Sequence, residues 1–131
     1  DGQFDRPHGI AFDEASNVYV TDMGNYRIQK FDSNGKYISK IQSSYGTRNG
    51  QFSNTTPGIG IDSSENVYVI DKLYPRVLKF DKNGELITTW GSKGTGDGQF
   101  KRPEDIVVDD SGNVFVSDTR NSRIQIFAIA K

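Results

Sequence analysis

Short runs in which apolar and polar residues alternate recur along the chain, and they come in groups of four. In the first group they are Ile10-Ala11-Phe12, Val18-Tyr19-Val20, Ile28-Gln29-Lys30-Phe31 and Tyr37-Ile38-Ser39-Lys40-Ile41. Successive side chains of a strand point to opposite faces, so this period of two predicts four short strands. The connections are Asp13 to Asn17, Asp22 to Arg27 and Asp32-Ser33-Asn34-Gly35, residue types that bond nearby backbone and tolerate positive φ. The predicted unit is an antiparallel meander. Its second strand carries valines on one face and an aromatic ring (Tyr19, Tyr68 or Phe115 in successive copies) on the other. Both faces therefore need cover from neighbouring sheets, about 10 Å away.

The grouping repeats with a period of about 48 residues, marked by Gly2-Gln3-Phe4, Gly50-Gln51-Phe52 and Gly98-Gln99-Phe100. Asn17-Val18-Tyr19-Val20-Thr21-Asp22 answers to Asn66-Val67-Tyr68-Val69-Ile70-Asp71 and to Asn113-Val114-Phe115-Val116-Ser117-Asp118. Repeated four-stranded sheets covered on both sides are the blades of a β-propeller. The expected fold is all-β, with blades at residues 1–48, 49–96 and 97–131. The third lacks an Asp-x-Asn-Gly turn and a clear fourth strand.

The residues also resemble a named family. Gly-Gln-Phe, then Pro7 or Pro103, then Asn-Val-Tyr-Val-x-Asp, then Asn25-Tyr26-Arg27-Ile28 or Asn121-Ser122-Arg123-Ile124, then Phe31-Asp32-x-Asn34-Gly35, is similar to the NHL repeat. The likeness covers practically the whole chain. It implies a propeller commonly of six blades, usually a binding or scaffolding platform. Blade two departs from the pattern, with two extra residues between Phe52 and Pro57, and with Leu73-Tyr74-Pro75 in place of a small polar turn. Opening on Asp1 directly at a repeat motif, the chain reads as half of a six-bladed propeller taken from something longer. Either further blades of a parent or a second copy complete the ring. The expectation is a homodimer, because the outer faces of blades one and three would otherwise bare Val18, Val20, Tyr19, Val114, Val116 and Phe115 in part.

Composition trims the list of functions. The formal charge is −1 with acids and bases interspersed, which favours neither a polyanion nor nucleic acid as partner. Cysteine is absent, so disulfides, thiolate metal sites and cysteine nucleophiles are excluded, while both an exported, extracellular origin and a cytosolic one stay open. No apolar run approaches the roughly 18 residues of a membrane-spanning helix, so no membrane partner is expected. Asn54-Thr55-Thr56 has the form of a glycosylation triplet, short enough to arise by chance.

In a meander the loops entering the first strand and the turns between the second and third share one end, where ligand loops would gather. His8, Met23, Tyr26, Lys72, Tyr74, Arg102, Glu104 and Arg120 stand there, mostly where the copies differ, and are the candidates for a ligand face. Asp22, Asp71 and Asp118, with Arg27, Arg76 and Arg123 five residues later, recur in every copy and are assigned to fastening the turn. Asp32-Ser33-Asn34-Gly35 and Asp81-Lys82-Asn83-Gly84 lack the closing acid of a calcium loop and read as hairpin turns. Gly91, Gly94, Gly96 and Gly98 read as a flexible connection, since no Gly-Lys-Ser/Thr follows them. His8, the one histidine, has no identifiable partner or nucleophile, and Trp90 aligns with Ile41 as a packing residue.

No catalytic residue, metal or cofactor is assigned. The leading function is a noncatalytic module that uses one end of a propeller to bind a protein or small ligand. Two alternatives remain. One is a hydrolase or lactonase holding a divalent ion, for which Glu104 and Asp105 are the paired acids at the right end. The other is single-stranded RNA binding, for which Arg6, Lys101 and Arg102 are offset by Asp5, Glu104 and Asp105.

Overall fold

A computed structural model describes residues 2–44, 46, 51–53 and 58–128. The glycosylation triplet, the two extra residues of blade two and the last three residues lie outside them. Blade one is the antiparallel sheet β1 (Pro7–Phe12), β2 (Val18–Asp22), β3 (Arg27–Phe31) and β4 (Tyr37–Gln42). Blade two repeats it with β5 (Gly58–Ile61), β6 (Val67–Asp71), β7 (Arg76–Phe80) and β8 (Leu86–Trp90). A two-residue parallel ladder, β9 (Ser92–Lys93) with β10 (Gln99–Phe100), leads into blade three. That blade holds β11 (Pro103–Val108), β12 (Asn113–Asp118) and β13 (Arg123–Ala128). Helix is confined, among the described residues, to single 3-10 turns at Met23–Asn25 and Thr119–Asn121.

The first turn of each blade is built around one aspartate. Asp13 Oδ1 accepts the N–H groups of Ala15 and Asn17, and Oδ2 accepts the amide of Asn17 and the hydroxyl of Tyr19. Asp62 repeats all four bonds with Ser64, Asn66 and Tyr68. Asp109 repeats three, with Ser111 and Asn113, because Phe115 brings no hydroxyl.

The blades stack by one rule: the aromatic face of one meets the valine face of the next. Tyr19 and Ile28 of blade one pack with Ile59, Val67, Val69 and Leu78 of blade two. Tyr68, Ile70 and Val77, on the opposite face of blade two, pack with Ile106, Val114 and Val116 of blade three. The bared faces are therefore other than the sequence suggested. Tyr19, Val114 and Val116 are buried because each looks inward to blade two. Val18, Val20 and Phe115, which look away from it, are half-buried. Around them the open faces expose Ile10 and Phe12 at 62% and 63% on blade one, and Val107, Ile124 and Ile126 at 58%, 69% and 62% on blade three.

The first strands of the blades crowd together at the propeller's centre, and β5 meets that crowding with glycines. A Cβ on Gly58 would lie 2.8 Å from both the Asp105 Cα and the Ile70 side chain. At the outer side, each Gly-Gln-Phe delivers its phenylalanine onto an aromatic of the third strand: Phe4 on Phe31 at 5.6 Å, Phe52 on Phe80 at 5.7 Å and Phe100 on Phe127 at 5.9 Å. Trp90 packs there too, 5.6 Å from Phe127.

The stretch 91–98, read from sequence as a flexible connection, is ordered instead by Gln99. Its Oε1 accepts the Gly96 N–H at 3.0 Å, its own N–H donates to the Gly96 carbonyl, and Gly94 N–H reaches the Phe100 carbonyl.

Candidate functional site

The loop end is held from beneath by buried carboxylates. Asp118, fully buried, accepts the Lys101 N–H at 2.7 Å, Arg123 Nε at 2.8 Å, Asn121 Nδ2 at 2.9 Å and Gln125 Nε2 at 3.1 Å. Asp22 takes the matching set from Asp5, Arg27, Asn25 and Gln29. Burial opposes the charge on both, but these donors outweigh it and hold the two carboxyls below their ordinary value. In blade two Asp71 accepts the N–H and hydroxyl of Ser53 and the N–H groups of Leu73 and Tyr74. Arg76 sends Nη2 to the Gln51 carbonyl at 2.7 Å. Gln29 and Gln125 carried no signal as functional residues in the sequence. Each ties the incoming segment to the aspartate, donating also to the carbonyl of Gln3 or Gln99 at 2.7 Å and accepting the Gly2 or Gly98 N–H.

On this base sits a basic cleft of about 670 Å³ between blades two and three. Lys72, Leu73 and Pro75 of the β6–β7 turn line one side. Lys101 and Arg102, entering β11, and Arg120, in the β12–β13 turn, line the other, with Lys93 of β9 beside them. Arg102 is in the left-handed region (φ 50°) directly before Pro103, as Arg6 is (φ 54°) before Pro7. Such a backbone persists only where its neighbours fix it. Here Lys101 is fixed at both ends, its N–H on Asp118 and its carbonyl taking the Arg120 N–H at 3.0 Å.

Of the candidates from sequence, Lys72, Arg102 and Arg120 meet in this cleft, and Glu104 braces it by accepting from Lys72 Nζ at 3.2 Å. His8 is elsewhere. It is exposed and lines a separate hollow of about 360 Å³ with Gly9, Ile10, Glu104 and Asp105. Met23 is half-buried in its 3-10 turn. Tyr26, left-handed at φ 53°, packs on the core between blades one and two. Tyr74 is half-buried, its N–H held by Asp71. Lys93 and Lys101 complete the cleft, and neither stood among the residues singled out for the ligand face. Among the described residues no three His, Asp or Glu side chains gather as metal ligands. No helix there is long and apolar enough to cross a membrane.

Residues 4–31 and 100–127 match the NHL repeat. Lin-41 of Caenorhabditis elegans is 51% identical over 41 residues, which is 31% of this chain and 4% of that protein. Among solved structures, an auxiliary nutrient binding protein from Bacteroides thetaiotaomicron is similar with a TM-score of 0.66 at 18% identity, over 91% of this chain and 36% of its own. A gluconolactonase from Xanthomonas campestris is similar with a TM-score of 0.58 at 14% identity, over 89% of this chain and 36% of its own. The chain thus spans a small part of the curated relative and little more than a third of these two folds. Three stacked meanders, the recurrent turn aspartates and two matched repeats agree: the chain is a partial β-propeller whose first and third blades carry NHL repeats.

Proposed function

We propose that this chain is a noncatalytic binding platform that works as half of a six-bladed ring, closed by a second copy about a two-fold axis. The observation that carries the ring is the pairing of the two open faces. Blade one leaves a valine face uncovered (Val18 and Val20, with Ile10 and Phe12), and blade three leaves an aromatic one (Phe115, with Val107, Ile124 and Ile126). These are the two halves of the contact the chain already makes twice internally. Blade three of one copy against blade one of the other repeats it a third time in the same sense. The two-fold then repeats it once more and leaves no open face. Covering apolar patches of this kind stabilises association by about 25 cal/mol per Å² buried.

The platform reading draws its support from the loop end, where the copies differ in sequence while the aspartate-fastened scaffold beneath them stays alike. The two alternatives find less support. Glu104 is occupied by Lys72 and Asp105 Oδ1 by the Ile106 N–H, which leaves the acid pair of a metal-dependent hydrolase divided. Among the described residues no aromatic ring lines the basic cleft, so base stacking finds no platform in them.

Size exclusion with light scattering at micromolar protein tests the ring, with twice the chain mass of 14.6 kDa expected. Ile126→Asp, at a residue exposed in the single chain, is expected to give a folded species of one chain mass. A wild-type monomer, or a dimer indifferent to Ile126→Asp, would overturn the ring.

A further inference from the structure

The cleft between blades two and three combines excess positive charge with an apolar side, and that combination identifies a class of ligand. Among the described residues the side chains of Lys93, Lys101, Arg102 and Arg120 form no ion pair or hydrogen bond, although the chain as a whole carries a charge of −1. The excess is local and is not a property of the repeat. Blade one places Asp5 where blade three has Lys101, and Arg6, at the position of Arg102, lies 3.7 Å from that Asp5 carboxylate. Blade one has Gly24, and blade two Leu73, where blade three has Arg120. Like charges gathered in this way repel one another and cost stability, a cost that an anionic ligand would relieve.

We infer that this cleft binds an acidic peptide segment, one that alternates carboxylates with aliphatic side chains. Three observations favour that ligand. Cations of both blades, Lys72 on one side and Lys101, Arg102 and Arg120 on the other, line a cleft of about 670 Å³, which has room for several carboxylates along a chain and more than a single phosphate fills. Leu73, 51% exposed, and Pro75 offer an aliphatic wall within reach of the same charges. The scaffold is set before binding. Lys101 is pinned through its N–H and carbonyl, which places Lys101, Arg102 and Arg120 together, and the bridge from Lys72 to Glu104 joins the two walls. The backbone that carries these cations is thus fixed before binding, so no Coulomb attraction is spent on ordering it. The inference rests on reading the loop end as the binding face, but the cleft lies within one chain and does not require the ring.

The test is fluorescence anisotropy of a labelled short peptide alternating glutamate and leucine, titrated with the whole chain at low and at physiological salt. Saturable binding that weakens as salt rises is expected. Arg102→Gln with Arg120→Gln is expected to weaken it at least tenfold, and Arg102→Glu with Arg120→Glu to abolish it. Both side chains are exposed and unpaired, so the fold is expected to hold, as circular dichroism and light scattering would record. Lys36→Glu with Lys82→Glu, at the opposite end of the sheets, is expected to leave binding unchanged. Inorganic phosphate and a single-stranded RNA serve as competitors. The proposal is overturned if the peptide does not bind, if the two arginine variants bind as wild type does, if the distal variants weaken binding equally, or if RNA or phosphate displaces the peptide at lower concentration than unlabelled peptide does. Binding by a monomer would sink the ring and keep the cleft, and a ring that binds no peptide would do the reverse.

Discussion

In blades one and three the aspartate that ends the second strand, Asp22 or Asp118, takes an amide hydrogen from a glutamine on the third strand, Gln29 or Gln125. In blade two the register position of that glutamine belongs to Leu78, opposite Val69, and Asp71 takes a hydroxyl hydrogen from Ser53 in the incoming segment. The same carboxylate is satisfied in both designs, but its donor comes from a different part of the chain. Moving the donor to the entering segment releases a strand position for apolar packing. Blade two uses it, since Leu78 is fully buried against blade one. In blade one that face has no neighbour, and Gln29 stays buried only because residues 2–3 fold over it and bond to both ends of its amide. What recurs in this repeat is thus the satisfied aspartate, and the partner that satisfies it varies: blade three keeps Gln125 although its valine face, like that of blade two, is covered by a neighbour.

The largest effect expected follows from blade two lying between two others. Gly58→Ala sets a Cβ against the Asp105 backbone and Ile70, neither of which moves without disturbing blade three, and should cost about 3 kcal/mol by chemical denaturation. At Gly60 the nearest atom is a Val108 methyl at 3.2 Å, and blade one already carries Ala11 at that position. Gly60→Ala should cost less than about 1 kcal/mol. Equal costs would mean that the first strands are not pressed together at the centre.

Next comes the aspartate itself. Asp118→Ala strands four donors in a fully buried place and should cost about 2 to 3 kcal/mol. Asp71→Ala should cost about 1 to 3 kcal/mol, showing that the exchanged donor set serves the same end. The pH dependence shares this origin. Asp22 and Asp118 are held below the ordinary 3.8, so their charged forms favour the fold. That stabilisation is complete above about pH 4 and is lost as pH falls through the folded values. Urea midpoints measured from pH 6 downward should stay level and then drop below pH 4, and the drop should shrink in Asp22→Asn with Asp118→Asn.

How much of this was legible follows the range of each interaction. The turns around Asp13, Asp62 and Asp109 close within six residues, and the alternation of β2, β6 and β12 is local, so both could be read along the chain. The face on which each aromatic would be covered could not. Tyr19 and Val114 are buried by strands of other blades, and pattern alone gives two faces without saying which meets a neighbour. Gln29 and Gln125 were invisible for a related reason, since they sit in an alternating strand as ordinary polar residues and acquire their role from segments 26 residues away. The cleft needed two blades to be docked before Lys72 and Arg120 became neighbours.

Exchanging the glutamine and leucine probes the opening contrast directly. Leu78→Gln buries an amide between blades one and two, where Ser53 already serves Asp71, and should cost about 2 kcal/mol. Gln29→Leu removes bonds that water can partly replace at an open face and should cost about 1 kcal/mol. If Leu78→Gln proved the milder of the two, the difference between central and flanking blades would be incidental.

The smallest effect expected is a gain. Tyr19 and Tyr68 donate their hydroxyls to Asp13 and Asp62 at 3.0 and 2.9 Å, while blade three has Phe115 at the matching place and an Asp109 that otherwise keeps the same bonds. Asp109 Oδ2 accepts Asn113 Nδ2 at 3.0 Å, as Asp13 Oδ2 accepts Asn17 while also taking the tyrosine hydroxyl, so a free lone pair awaits a donor. Phe115→Tyr should therefore stabilise the chain by about 0.5 to 1 kcal/mol, a rise of a few degrees in Tm. The gain should vanish in an Asp109→Asn background, where the acceptor is no longer a carboxylate. The same substitution should leave the dimer intact, because Tyr68 presents its ring to Val114 and Val116 with its hydroxyl turned to Asp62 at the turn. A stabilised monomer paired with a broken dimer would show that the outer face of blade three does not use the contact made inside the chain.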